Sequence, residues 1–157
     1  MKAMCPSCFK LYSDIGSNPY CTCTAKTIAI SEELVDIVKM LIERGFQITG
    51  AKCDTQYKRF ESGKVTRIDI DFEAMYPSSL FAELPPNWEL TDSYPIIDNQ
   101  YLGEPFSVLA CECEHPSNQC DPESIDLAKK ATISNLESWL KNKDPETCRA
   151  QLKLAGC

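Results

Sequence analysis

The sequence predicts an α+β fold, an antiparallel sheet with helices packed on one face, preceded by a small Cys-rich head. Three observations carry that expectation. Apolar residues alternate with polar ones in Thr66–Phe72, the pattern of a half-buried strand. Two Asp-Pro-Glu triplets, at 121–123 and 144–146, read as helix starts with Asp as N-cap and Pro in the first helical position. Ten cysteines crowd 157 residues, and four of them lie in the first twenty-three. The chain thus divides into a head over 1–25 and an α+β domain over 26–157.

Each element has a local reason. Residues 1–25 are rich in Cys, Ser, Gly and Pro and show little periodicity. Lys26–Ile30 reads as a short strand, and Ser31 stands where an N-cap belongs, followed by Glu32 and Glu33, which suit a helix N-terminus. Leu34, Ile37, Val38, Leu41 and Ile42 form a helical apolar stripe that Gly45 stops as the C′ residue. Phe46–Cys53 is a second strand, and Asp54–Lys64, closed by Ser62-Gly63, a hairpin connection. In Thr66–Phe72, Ile68, Ile70 and Phe72 point one way while Arg67, Asp69 and Asp71 point the other. Ser78–Leu84 predicts a turn or two of helix ended by Pro85-Pro86. Residues 87–105 read as loop with short strands, and Phe106–Cys113 as a strand. The helix opened at Asp121 is the longest, with Ile125, Ala128, Leu136 and Leu140 as its apolar face, and a last helix carries Cys148 and Leu152.

Composition bounds the function. An apolar share of 43% supports a real core, and 25% charged residues favour solubility. No apolar run reaches the ~18 residues of a membrane helix, and the start lacks the apolar region of a secretory signal. A cytoplasmic location, with thiols kept reduced, is therefore expected. Net charge is −7, but it is segregated: residues 1–67 carry +3, residues 68–128 carry −13 and residues 129–157 carry +3. From Ile68 to Ala128 there is no Lys or Arg, against thirteen acidic residues from Asp69 to Asp126. Nucleic-acid backbones demand a positive footprint, so they are poor partners for such a chain. A basic protein partner fits the acidic block, although a merely solvated acidic surface explains it too.

Cys5, Cys8, Cys21 and Cys23 form Cys-x2-Cys, twelve residues, then Cys-x-Cys. Tetrahedral zinc needs four soft ligands about 2.3 Å from the ion, and a tight turn brings the two sulfurs of a short motif to one side of it. A disulfide pair is the alternative from spacing alone. A redox dithiol needs its first Cys at a helix N-terminus after a strand, and the four residues before Cys5 are expected to leave no room for one. On Cys5-Pro-Ser-Cys8 the head resembles the zinc ribbons, which implies a structural zinc ion bound by residues 5–23. Two departures stand out: Phe9 occupies a position where ribbons usually place Gly, and Cys21 and Cys23 are separated by one residue rather than two. Cys53 is a substitute ligand for either of them.

A second group comprises Cys111, Cys113, His115 and Cys120. On a strand the first two share a face, and a turn over Pro116–Gln119 could return Cys120 to complete a Cys₃His shell; two buried apolar thiols are the alternative. Were that site open, a zinc hydrolase with Glu112 or Glu114 as base would be conceivable, but both would point away from the thiols. Asp69, Asp71 and Glu73 on one strand face could hold a hard cation, or simply form the wet side of a sheet. No Gly-rich phosphate loop, Ser-His-Asp set or deaminase signature is present, so a non-enzymatic chain is expected. Residues 34–88, from the helix ending Leu-Ile-Glu-Arg-Gly-Phe to Leu84-Pro-Pro-Asn-Trp88, are similar to small phage accessory proteins that carry a Cys-rich head. That resemblance implies a host-cytoplasmic setting and no activity; action by contact with a protein partner is expected from the Cys quartet standing beside a domain with no catalytic constellation. The runner-up is an acidic inhibitor seated in a basic groove.

Overall fold

In the computed structural model, the protein is described over residues 1–14, 16, 19–58, 62–97, 100–101 and 103–157. Nine strands form: β1 (Lys2–Met4), β2 (Leu11–Tyr12), β3 (Ile28–Ile30), β4 (Ile48–Tyr57), β5 (Lys64–Phe72), β6 (Trp88–Ser93), β7 (Ile96–Ile97), β8 (Gln100–Tyr101) and β9 (Phe106–His115). Among the described residues three α-helices accompany them: α1 (Val35–Glu43), α2 (Pro122–Lys141) and α3 (Pro145–Ala155). Seven strands make one sheet in the order β2-β1-β3-β4-β5-β9-β6, and β7 and β8 pair separately. The class is the expected α+β, with an N-terminal Cys cluster.

The sheet is mostly antiparallel, with one parallel pair, β3 with β4. Helix α1 lies between those two strands in sequence and supplies the crossover that parallel neighbours require. Its stripe explains its position, because Leu34, Ile37, Val38 and Leu41 are all but fully buried. At ~1.5–3 kcal/mol each, those four side chains contribute on the order of 6–12 kcal/mol. Gly45 ends the helix at φ 96°, a conformation that favours glycine. Ser31 does not cap as expected: it precedes a 3₁₀ turn, Glu32–Leu34, and makes no side-chain cap bond. Its hydroxyl instead accepts from the Cys53 backbone N–H at 3.0 Å, tying the turn to β4.

Strand β5 is central, and its alternation holds: Thr66, Ile68, Ile70 and Phe72 are buried, while Arg67 is exposed on the other face. Strands β4 and β5 extend past the expected ends because their register runs unbroken from Gly50–Asp71 to Tyr57–Lys64. Of the anticipated hairpin connection, residues 59–61 lie outside the described residues. Gly63 closes that turn at φ 131°, and a Cβ there would meet the His115 carbonyl oxygen at 2.5 Å. The segment expected to be loop with short strands contains β6, paired along its length with β9; residues 98, 99 and 102 lie outside the description. Ser78–Phe81 is a 3₁₀ turn and not a longer helix.

Asp121 and Asp144 cap their helices as expected, accepting from the N–H groups of Ser124 at 2.9 Å and Thr147 at 2.8 Å. Leu136 and Leu140 of α2 enter the core with Ile68, Ile70, Leu109 and Cys111 from the sheet. Phe46, Phe72, Tyr76 and Phe81 form an aromatic cluster with ring centroids 5.1–5.7 Å apart. Both tryptophans are structural: Trp88 is buried and donates to the Thr132 carbonyl, and Trp139 stacks on Phe81. Buried Arg44 joins two helix ends, donating to the Met40 and Lys143 carbonyls at 2.9 and 3.0 Å. No described helix is long and apolar enough to cross a membrane.

Candidate metal centre

Two short hairpins build the site. In the first, β1 and β2 pair as Ala3–Tyr12 and Met4–Leu11, and the connection carries Cys5 and Cys8. The Phe9 N–H donates to the Cys5 carbonyl at 2.9 Å, and the Cys5 N–H donates to the Lys10 carbonyl at 3.0 Å. In the second, a bridge between Tyr20 and Lys26 brackets Cys21 and Cys23. There the Thr24 N–H donates to the Cys21 carbonyl, and the Cys21 N–H to the Ala25 carbonyl, both at 2.8 Å. The second turn is thus the first one shortened by a residue. This accounts for the missing residue between Cys21 and Cys23, since a contracted turn still delivers both sulfurs.

Each turn ends with a residue in the left-handed region, Phe9 at φ 60° and Thr24 at φ 71°. Both directly follow the last cysteine of their turn, where the conformation suits glycine. Phe9 is retained because its ring packs against the core, which offsets the backbone strain. Thr24 is exposed and has no such compensation.

All four sulfurs lie within 4.8 Å of one another. Cys5 and Cys23 approach to 3.4 Å and Cys8 and Cys21 to 3.5 Å. A tetrahedron with ~2.3 Å metal–sulfur bonds has edges of ~3.8 Å, so these four cysteines could hold a metal ion. Among the described residues no other group of three or more such side chains is gathered. Cys5 and Cys21 are buried, Cys8 and Cys23 exposed. Tyr12 links the two hairpins: its hydroxyl donates to Cys21 Sγ at 3.1 Å and accepts from the Thr22 N–H at 3.4 Å. The Cys23 backbone N–H and then the Tyr12 hydroxyl draw the Cys21 thiol down to about 5. For Cys8, the Lys10 backbone N–H pulls downward, but the thiols of Cys5 and Cys21 outweigh it and push Cys8 up to about 11. Tyr12 was not legible as a site residue, because nothing in the sequence ties its hydroxyl to a cysteine nine residues away.

Strand β1 corrects one expectation. A strand does precede Cys5, since Lys2–Met4 pairs with β3 across Ile28–Ile30. No helix begins at Cys5, however, and the chain turns there instead, so the feature that lowers the pKa of a redox cysteine is missing.

The second group is arranged differently. Cys111 and Cys113 share the helix-facing side of β9, with sulfurs 3.9 Å apart. Cys113 also meets the Thr132 hydroxyl at 3.2 Å. His115 Nε2 lies 2.7 Å from the Thr66 hydroxyl, which lies 2.8 Å from that of Thr55. The Cys120 thiol donates to the carbonyls of His115 and Pro116, both at 3.2 Å. Cys111 and Cys113 thus meet each other while His115 and Cys120 are engaged elsewhere, and the four side chains are not gathered around one point. The Cys113 neighbour and then burial push the Cys111 thiol up. Cys53 sits on β4, outside the quartet, its thiol pushed up to about 11 by burial. Glu112 and Glu114 are exposed while Cys111 and Cys113 are buried, as strand alternation requires. Asp69 is engaged by Arg67 at 2.9 Å, and burial followed by the Asp69 charge raises the Asp71 carboxyl.

Compared with profiles of known protein families, with curated proteins and with solved structures, the chain matches none.

Proposed function

We propose that this chain is a non-catalytic binding protein whose Cys-rich end is held by one structural zinc ion on Cys5, Cys8, Cys21 and Cys23. The observation that carries the proposal is the convergence of four sulfurs from two hairpin turns within 4.8 Å. Four thiolates select zinc or iron among common metals, and a full shell leaves no open position for substrate or activated water. That argues for a structural role over hydrolysis, as does the separation of Glu112 and Glu114 from the thiols of β9. Binding a protein partner is the activity left to a small acidic chain of this kind. The setting in a phage-infected host cytoplasm rests on the resemblance of residues 34–88 alone. Elemental analysis of protein expressed in a reducing cytosol tests the proposal. One equivalent of zinc is expected, and less than half an equivalent of any transition metal would refute it.

The acidic sheet favours a basic partner over a neutral one. Asp69, Glu89, Glu112 and Glu114 all stand on the face opposite the helices; Arg67 pairs with Asp69 and Glu112 and Lys58 with Glu114, which leaves Glu89 outside any ion pair among the described residues. Partner capture that falls steeply with salt supports this second reading, and salt-insensitive capture counts against it.

A further inference from the structure

Strand β6 ends the sheet on the side away from Cys5, Cys8, Cys21 and Cys23, and among the described residues no strand pairs with its far edge. An open edge offers backbone N–H and C=O groups to any extended chain. The strand is six residues long, contains no Pro or Lys, and exposes Glu89 and Asp92; at its start the Trp88 N–H already donates to the Pro85 carbonyl at 3.1 Å, so the edge on offer begins after it. Glu89 and Thr91 rise on the outer face beside Ala110 and Val108 of β9. A hollow of about 260 Å³ lies there, between Arg67, Asn87, Glu89, Thr91 and Glu112. The guanidinium of Arg67 is already engaged, 2.9 Å from Asp69 and 3.6 Å from Glu112. The rim of the hollow therefore keeps a net negative charge. Pairing with a second copy would lay one acidic face beside another, and like charges across neighbouring strands are destabilising.

We propose that β6 is a docking edge for an extended basic segment of a partner protein, added to the sheet as a further strand. Side chains of a strand alternate between faces, so every second guest residue lies over the outer face beside Glu89 and Thr91. Lys or Arg fits those positions. The intervening residues lie level with Leu90, which packs against the core, and there apolar side chains fit. The guest therefore reads as basic–apolar alternation over about six residues. The inference rests on the reading of the chain as a binding protein, but not on its metal.

The test uses the full-length protein and two labelled hexapeptides, one alternating Lys and Val, the other Glu and Val. Fluorescence anisotropy should show the Lys peptide binding at least about tenfold tighter than the Glu peptide, and losing about tenfold in affinity between low and moderate salt. Hydrogen exchange should show new protection at residues 89–93 on binding. Glu89→Lys, at an exposed position on the outer face, should abolish the preference while leaving the melting temperature within a few degrees. Equal binding of the two peptides, no binding of the Lys peptide, or protection gained elsewhere but not on β6 would each overturn the proposal. Metal content is unaffected by any of these outcomes, so failure here and failure of the zinc assignment are distinguishable.

Discussion

Cys8→Ser is the most informative change at the cysteine quartet. Cys5 is fully buried, so replacing it also puts a hydroxyl into packing, whereas Cys8 is exposed and its loss removes a ligand alone. On the zinc proposal, loss of the ion should act most strongly at β1. Fixing the backbone of Lys2–Met4 costs about 3–6 kcal/mol at ~1–2 per residue. Against this, burial of Met4 returns about 1.5–3 kcal/mol, and each strand hydrogen bond to β3 adds ~0.5–1.5. The two sides nearly cancel, so β1 has little stability of its own. A structural zinc site contributes on the order of 10 kcal/mol, enough to decide the matter. Cys8→Ser, or chelation of the wild type, should therefore release β1 and the two Cys-bearing turns, while β4, β5 and β9 stay formed. Hydrogen exchange read by mass spectrometry checks this: amides of residues 2–4 should lose nearly all protection, and those of 66–72 should keep it. Persistent protection of β1 in the metal-free protein would refute the reasoning, as would collapse of the β5 amides.

Other outcomes turn on single contacts. Tyr12→Phe removes the hydroxyl that donates to Cys21 Sγ and should weaken metal affinity about tenfold in a chelator competition. Thr24→Gly relieves a β-branched residue at φ 71° and should stabilise the holo protein by about 1 kcal/mol in a thermal melt; Phe9→Gly should not, because its ring packing is lost. Burial, followed by the charges of Lys129 and Lys64, lowers the pKa of His115. The unfolded chain therefore takes up a proton that the folded one resists, and stability should fall as pH drops below about 6.5. Urea titrations across pH 5–8 should show that part of the acid dependence absent in His115→Gln. Cys111→Ser with Cys113→Ser should cost about 1–3 kcal/mol in urea denaturation while leaving metal content equal to wild type.

The parts of the fold that were legible are those where chemistry is local. Asp121-Pro122 and Asp144-Pro145 announce helix starts through a cap and a fixed φ. Ile68, Ile70 and Phe72 announce a strand with one dry face. The Cys quartet was legible because short motif spacing brings sulfurs together whatever the rest of the chain does. What escaped depends on distant partners. β1 exists because β3 lies beside it, and β3 is parallel to β4 because α1 intervenes. Ser31 looked like a cap, but the Cys53 N–H claimed its hydroxyl across twenty-two residues. The second thiol group shared the composition of a metal site. Thr66 engages His115, Thr132 engages Cys113 and two backbone carbonyls engage Cys120, all contacts unforeseeable from spacing.

The position of β1 along the flank of β3 has a further consequence, for the behaviour of the protein in a crowded solution. Ile28-Ala29-Ile30 is short, apolar and rich in β-branched side chains, and β1 covers the flank that β4 does not. Stripped of that cover, it becomes an adhesive seam at which one molecule can extend the sheet of another. On the zinc proposal, an ion fastening the hairpins would thereby act at a distance, as a guard against self-assembly. Its supply during synthesis would set how much of the product stays dispersed.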